Sequence, residues 1–325
     1  MIKLNGREVV FGKFPNGETY ADVEVSRVKK NESNSIYLRF EDDTDIFHLM
    51  CVKDFVDDNA YDVPCHLIMP YVPYSRMDRQ EEKRLFTLKT FAKFINSMNF
   101  SSVVVLEPHS EVTPALINRV KVVNKSANLA LIAMRDVLGL SGSAWLHEAW
   151  SNEDFTLRGL FRKAREAGVY LVYPDAGAEK RYSKQIAYDK VLTCSKHRDF
   201  NTGNIDSLVV NGADNAQDCK IAIIVDDLSS KAGTFIWSAS ELRKCLPNLE
   251  TVILCVTHCE YTIFKGTAFT GEELDKVYTT DSILDIYKVL DFEGEYYEMC
   301  KDKLEFVKAG ETLDSAMEYS YSVVK

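Results

Sequence analysis

Two adjacent carboxylates, Asp226 and Asp227, follow the apolar run Ile221-Ala-Ile-Ile-Val225 and precede the polar run Ser229-Ser230-Lys231-Ala232-Gly233-Thr234. The apolar run is rich in β-branched residues and reads as a strand buried on both faces, as in a parallel sheet. Phe235 to Leu242 is expected to be a helix. In open α/β sheets, ligands bind beyond the carboxyl ends of strands. A turn with free backbone N–H groups at a helix start favours phosphate. Paired carboxylates accept hydrogen bonds from the hydroxyls of a sugar. One local unit therefore offers a phosphate seat beside a sugar clasp; the plainer alternative is a strand ending in solvated acids.

Other residues carry possible chemistry. Arg76, Asp78 and Arg79 follow the turn Pro73-Tyr74. Two neighbouring guanidiniums suit the oxygens of a polyphosphate, which arginine binds bidentately; a surface ion-pair cluster is the alternative. The chain has neither a G-x-x-x-x-G-K-S/T loop nor a G-x-G-x-x-G turn, so a nucleotide must be held in another way. His109 comes directly after the apolar run Ser102–Leu106. It reads as a structural histidine or as a magnesium-associated group, although magnesium prefers oxygen. Asp175 follows Val169–Tyr173 in the matching place of the second half, as a helix cap or a metal ligand. Lys196 and Arg198 lie in a polar segment that continues through Asn201-Thr-Gly203 and reads as a mobile loop. They are a surface basic pair, or cations that close over a phosphoryl group.

The elements that must position these groups alternate. Strands are expected at Ile36–Phe40, His66–Tyr71, Ser102–Leu106, Val169–Tyr173, Ile221–Val225 and Thr251–Val256, with a short alternation at Val23 and Val25. Helices are expected at Asp45–Asp58, from Thr87 (with Thr87 as N-cap), and over Ala127–Leu138 and Phe155–Ala167. A helical, acidic tail is expected from Ser282. The pattern predicts two α/β domains with mostly parallel sheets, 1–150 and 151–325. The expected boundary follows the Ser141-Gly-Ser143 linker and lies in a Trp-rich acidic stretch.

Composition sets bounds. The 325 residues carry 39 basic and 49 acidic side chains, a net charge of −10, which argues against a general nucleic-acid surface. No apolar run approaches the ~20 residues of a membrane span, and the first residues lack a signal-peptide core. Eight scattered cysteines without a C-x-x-C pair read as reduced thiols of a cytosolic protein.

Several motifs, in order, carry a family resemblance. Phe14-Pro-Asn-Gly-Glu18 resembles the N-terminal motif of phosphoribosyl pyrophosphate synthetases. Pro73-Tyr-Ser-Arg-Met-Asp-Arg79 resembles their Pro-Tyr-Ala-Arg-Gln-Asp-Arg/Lys signature, and Leu106-Glu-Pro-His109 sits where they carry Asp-Leu-His. Pro174-Asp-Ala-Gly-Ala-Glu-Lys-Arg181, Ser195-Lys-His-Arg198 and Thr257-His258 are similar to their later motifs. The 226–234 run resembles their ribose-phosphate loop, Asp-Asp-x-x-Asp-Thr-Gly-Gly-Thr, with Ser230 for the third acid and Lys231 for the first threonine.

The resemblance implies two phosphoribosyltransferase-like domains, each a mostly parallel sheet flanked by helices, in a homo-oligomer, dimer or hexamer. It implies transfer of diphosphate from ATP to the C1 hydroxyl of ribose 5-phosphate, releasing AMP, with Mg2+ as cofactor. Phe14, Asn16 and Glu18 would hold adenine across a subunit interface, and Arg76, Asp78 and Arg79 would contact ATP. His109 and Asp175 would hold magnesium–ATP, and Lys196 and Arg198 would act on the transferring group. Asp226, Asp227, Ser229, Ser230, Lys231, Ala232, Gly233 and Thr234 would seat the ribose phosphate. The changed loop opens two alternatives: an ADP-ribose pyrophosphokinase serving NAD rebuilding, as in some phage-borne relatives, or a non-catalytic regulatory subunit. A cytoplasmic location is implied, that of the host if the gene is phage-borne.

Overall fold

A computed structural model of the protein describes residues 1–140, 156–198, 205–291 and 293–311, with 196–198 and 205–206 described as backbone only. The chain forms two compact units: Met1–Asn124 together with the chain from Ala309 onward, and Lys125–Lys308. The expected boundary near residue 150, with its linker and Trp-rich stretch, lies outside the described residues.

The first unit holds β1 (Ile2–Leu4), β2 (Arg7–Val9), the small hairpin β3 (Gly12–Lys13) and β4 (Thr19–Tyr20), β5 (Asn34–Leu38), β6 (Cys65–Met69), β7 (Ser102–Leu106) and β8 (Val120–Val123). Its helices are α1 (Thr44–Ala60), α2 (Thr87–Ser97) and α3 (Val112–Leu116). The main sheet runs β2-β1-β5-β6-β7-β8, with β5 to β8 parallel and β1 antiparallel to both its neighbours. All five residues of β7 are buried, as a strand covered on both faces must be. Two local expectations change. Val25 opens a short 3-10 turn, Val25–Arg27, because Val28 N–H closes back on Val25 C=O, and among the described residues no strand pairs with the Val23–Val25 alternation. Thr87 is the first helical residue and not the cap; Phe86 stands at the cap, and the Thr87 hydroxyl is buried without a hydrogen-bond partner.

The second unit holds α4 (Ser126–Val137), α5 (Leu157–Glu166), β9 (Val169–Tyr173), α6 (Ala176–Tyr182), β10 (Val191–Arg198), β11 (Ile205–Asn211), β12 (Ile221–Ser229), α7 (Gly233–Cys245), β13 (Thr251–Cys259), β14 (Lys276–Thr280), α8 (Ile286–Val289), α9 (Tyr297–Cys300) and β15 (Leu304–Val307). The sheet order is β11-β10-β9-β12-β13-β14-β15, parallel except where β10 meets β11. Its core is built from alternate residues of the central strands, such as Ile224, Leu254 and Val277, packed under Phe235, Ala239 and Leu242 of α7. The tail from Ser282 is not one helix. Gly294 turns back on Asp291, α8 and α9 are single turns, and Leu304–Val307 adds a parallel edge strand to β14.

Among the described residues, no helix is long and apolar enough to cross a membrane. None of the eight cysteines, all among the described residues, forms a disulfide. Burial pushes the thiols of Cys65 and Cys219 up to about 12, away from thiolate chemistry.

Candidate active site

Strands β10, β9, β12 and β13 are consecutive and parallel, so their carboxyl ends share one edge of the second unit. β9 and β12 pair through Val172 and Ile224, and continuing that register sets Asp175 level with Asp227. β10 pairs with β9 through Thr193 and Tyr173, which places Lys196 one residue beyond the level of Asp175. Neighbouring strands lie about 4.8 Å apart, so Lys196, Asp175 and the carboxylate pair come to one edge by backbone register. The polar segment of Lys196 and Arg198, expected to run into a mobile loop, is the second half of strand β10. Lys196 pairs with Leu208 and Arg198 with Ile205 of β11, with a bulge between His197 and Arg198. Residues 199–204, with the Asn201-Thr-Gly203 part of that expectation, lie outside the described residues.

The carboxylate pair does not terminate its strand: β12 continues through Asp226 and Asp227 to Ser229. Asp227 is buried, and its carboxylate meets the Arg181 guanidinium at 3.4 Å. Asp227 N–H donates to Asp226 Oδ1 at 2.9 Å. Burial, then the neighbouring Asp227 and the charge of Asp175, hold the Asp226 carboxyl well above the ordinary carboxylate range. A site that favours a neutral or hydrogen-bonded carboxyl suits a hydroxyl-bearing ligand.

The two helices that start at this edge differ. Asp175 is the N-cap of α6, its Oδ1 accepting from Gly177 and Ala178 N–H at 3.0 Å each. The start of α7 has no side-chain cap. Ala232 there takes φ 60°, a left-handed conformation that costs a residue with a Cβ about 1–2 kcal/mol. A Cβ built on Gly233 would meet nothing within 4 Å, so the helix start opens onto free space. Lys231 is exposed beside it. Gly266 packs against the loop, since a Cβ there would lie 2.4 Å from Lys231 O. Ser230 Oγ bonds Thr262 Oγ1 at 2.8 Å, and Thr262 in turn bonds Glu260 at 3.1 Å. Ser229 Oγ is buried without a hydrogen-bond partner.

In the first unit, the loop after β6 and the residues after β7 leave adjacent carboxyl ends. Tyr74, at φ 64°, anchors that loop. Its ring lies 5.9 Å from Phe40 and 5.4 Å from Phe91, its hydroxyl donates to Asp43, and its carbonyl accepts from Met77 N–H at 2.9 Å. Arg76 and Arg79 project from it exposed, Asp78 is half-buried, and Arg79 Nε sits 3.3 Å from Glu81. Glu107 is buried at φ 32°, and His109 beyond it is exposed. Phe14, Asn16 and Glu18 occupy the β3–β4 hairpin, whose turn is closed by Gly17 N–H to Phe14 C=O and by Asn16 Oδ1 accepting from Glu18 N–H. Phe14 is exposed and its ring lies 4.7 Å from Tyr20. Among the described residues, no three His, Cys, Asp or Glu side chains converge as a ready-made metal cage.

No protein-family model matches the chain. A ribose-phosphate pyrophosphokinase of Sulfolobus acidocaldarius is 24% identical over 275 residues, covering 83% of this chain and 82% of that protein. A ribose-phosphate pyrophosphokinase of Thermosipho africanus is 22% identical over 223 residues, 67% of this chain and 60% of that one. The crystal structure of phosphoribosylpyrophosphate synthetase from Mycobacterium smegmatis shares the fold at a TM-score of 0.60, over 93% of this chain and 86% of that chain, with 14% identity. The chain is similar in sequence to ribose-phosphate pyrophosphokinases and in fold to a phosphoribosylpyrophosphate synthetase. One residue beside the carboxylate pair is quoted in the sequence motifs above without a role. That residue is Arg181, at the end of the Pro174–Arg181 motif, whose partner across the sheet edge only the fold shows.

Proposed function

We propose that the protein transfers the β,γ-diphosphate of ATP to the C1 hydroxyl of a 5-phosphorylated ribose. The observation that carries this reading is the unit built by β12 and α7: a carboxylate pair on the strand, then a helix start with no side-chain cap and open space before it. The ribose hydroxyls bind Asp226 and Asp227, and the 5-phosphate takes the helix-start N–H groups. Arg76 and Arg79 bind the triphosphate. The C1 oxygen attacks the β-phosphorus, the bond from that phosphorus to the α–β bridging oxygen breaks, AMP leaves and the hydroxyl proton is released. Lys196 and Arg198 stabilise charge on the transferring group.

Magnesium fits a site of this kind, because it is held mainly by substrate phosphates and needs one or two protein groups. Asp175, with one oxygen spent on its helix, and His109 would supply them. Held there, the ion would supply neutralisation of the phosphate charge. The exposed ring of Phe14, with exposed Val10, Tyr20 and Phe47 on the same unit, supports self-association through this region.

A second reading takes ADP-ribose as acceptor. Lys231, an exposed cation in the phosphate loop, favours it, since a diphosphate offers that cation a partner. Incubation with ATP, magnesium and each acceptor, followed by AMP detection, separates the readings. AMP with ribose 5-phosphate alone supports the first reading, and AMP with ADP-ribose alone supports the second. AMP with neither acceptor overturns both and leaves a regulatory subunit. Lys196→Ala is expected to lower kcat by about 100-fold or more while ATP affinity changes little. A matching loss of affinity with kcat intact would remove Lys196 from that role.

A further inference from the structure

Ser126, the first residue of α4, is fully buried. Its hydroxyl donates to the carbonyl of Asp226 at 2.5 Å, accepts the backbone N–H of Thr257 at 3.1 Å, and lies 2.9 Å from Thr257 Oγ1. With its single proton spent on Asp226, the Thr257 hydroxyl must donate to it, so all three of its hydrogen-bonding positions are used. β12 and β13 are paired at Asp226 with Val256 and again at Leu228 with His258, and the pairing skips Asp227 and Thr257 between them. The amide of Thr257 thus reaches the carbonyl of Asp226 through a side chain of α4. On its other side the Thr257 carbonyl accepts from Thr280 Oγ1 at 2.7 Å and Ser282 Oγ at 3.1 Å, which keeps β13 from closing the gap.

We propose that Ser126 is a positioning residue, a hydroxyl wedge that holds β12 apart from β13 at the carboxylate pair and so sets the orientation in which Asp226 and Asp227 receive the sugar. This rests on the reading of that pair as the acceptor site. Without the hydroxyl, two buried backbone groups lose their partner or the strands zip together, and either outcome turns the carboxylates. A displacement of that kind weakens a geometric clasp without touching a distant subsite.

The test uses the full chain with Ser126→Ala and, as a milder variant, Thr257→Val, which keeps the amide and removes one donor to the hydroxyl. Binding of ribose 5-phosphate, ADP-ribose and ATP is measured separately by calorimetry, and KM for acceptor and for ATP where turnover is present. Ser126→Ala is expected to weaken acceptor binding about tenfold with ATP binding unchanged, and Thr257→Val to do the same to a smaller degree. If Ser126→Ala does not fold, the acceptor-to-ATP split in Thr257→Val decides alone. Unchanged acceptor affinity in the folded variants, or equal losses for acceptor and ATP, overturns the wedge. Wild-type protein that binds no ribose phosphate overturns the acceptor-site reading itself, and the proposal with it.

Discussion

Asp226 is held in a form that an isolated strand end would not impose. Burial and its neighbours Asp227 and Asp175 raise its pKa above the ordinary 3.8, so its ionised form is disfavoured in the fold. The sign of the linkage follows. Below the ordinary value the carboxyl is protonated whether the chain is folded or unfolded, and it exerts no penalty. As pH rises above that value, the unfolded chain ionises first and the fold loses stability until the raised value is passed. Asp226→Asn is therefore expected to change Tm little at pH 4 and to raise it at pH 7 by a few degrees, about 2–4 °C for each kcal/mol relieved, while acceptor binding falls. Calorimetric scans at both pH values check this; a Tm difference that does not grow with pH would contradict it. The carboxylate pair was legible in the sequence because it follows a strongly apolar run. Arg181 as its counter-charge was not, since that contact joins positions 46 apart, one on helix α6 and one on strand β12.

Elements bounded by apolar runs were read closely, and elements made of polar residues were not. Ser102–Leu106 and Val169–Tyr173 match the expected strands residue for residue, because burial on both faces demands continuous apolar side chains. β10 escaped notice in its second half because Ser195-Lys-His-Arg198 has no apolar alternation; its pairing with β11 supplies the backbone hydrogen bonds instead. β12 likewise runs four residues past Val225 because β13 continues beside it. The loop before α7 bears a conformational cost at Ala232 that glycine would avoid. Ala232→Gly is expected to leave stability within about 1 kcal/mol of wild type. Ala232→Val should lose about 2 kcal/mol and most acceptor affinity, since β-branching fits φ near 60° poorly. Urea unfolding and acceptor titration measure both; a Val variant equal to wild type would show that the loop does not need this conformation.

At the scale of the molecule, the α/β class and the mostly parallel sheets were legible from the alternation of elements. The discontinuity of the first unit was not, because nothing in the local sequence marks Ala309. Ala309 is nearly fully buried among Tyr37, Ile68, Val104, Leu106 and Val123, and Glu311 pairs with Lys3 at 2.7 Å. Ending the chain at Lys308 is expected to destabilise the first unit by about 1–3 kcal/mol, mainly through the small void left at Ala309. Hydrogen exchange in β6 and β7 would report it; unchanged protection there would show that the returning segment contributes nothing.

The return of the chain at Ala309 also fixes an order of events on the ribosome. Every strand of Lys125–Lys308 has been made before Ala309 emerges. The half whose synthesis begins first is thus the half completed last, sealed only when the nascent chain has passed entirely through the other.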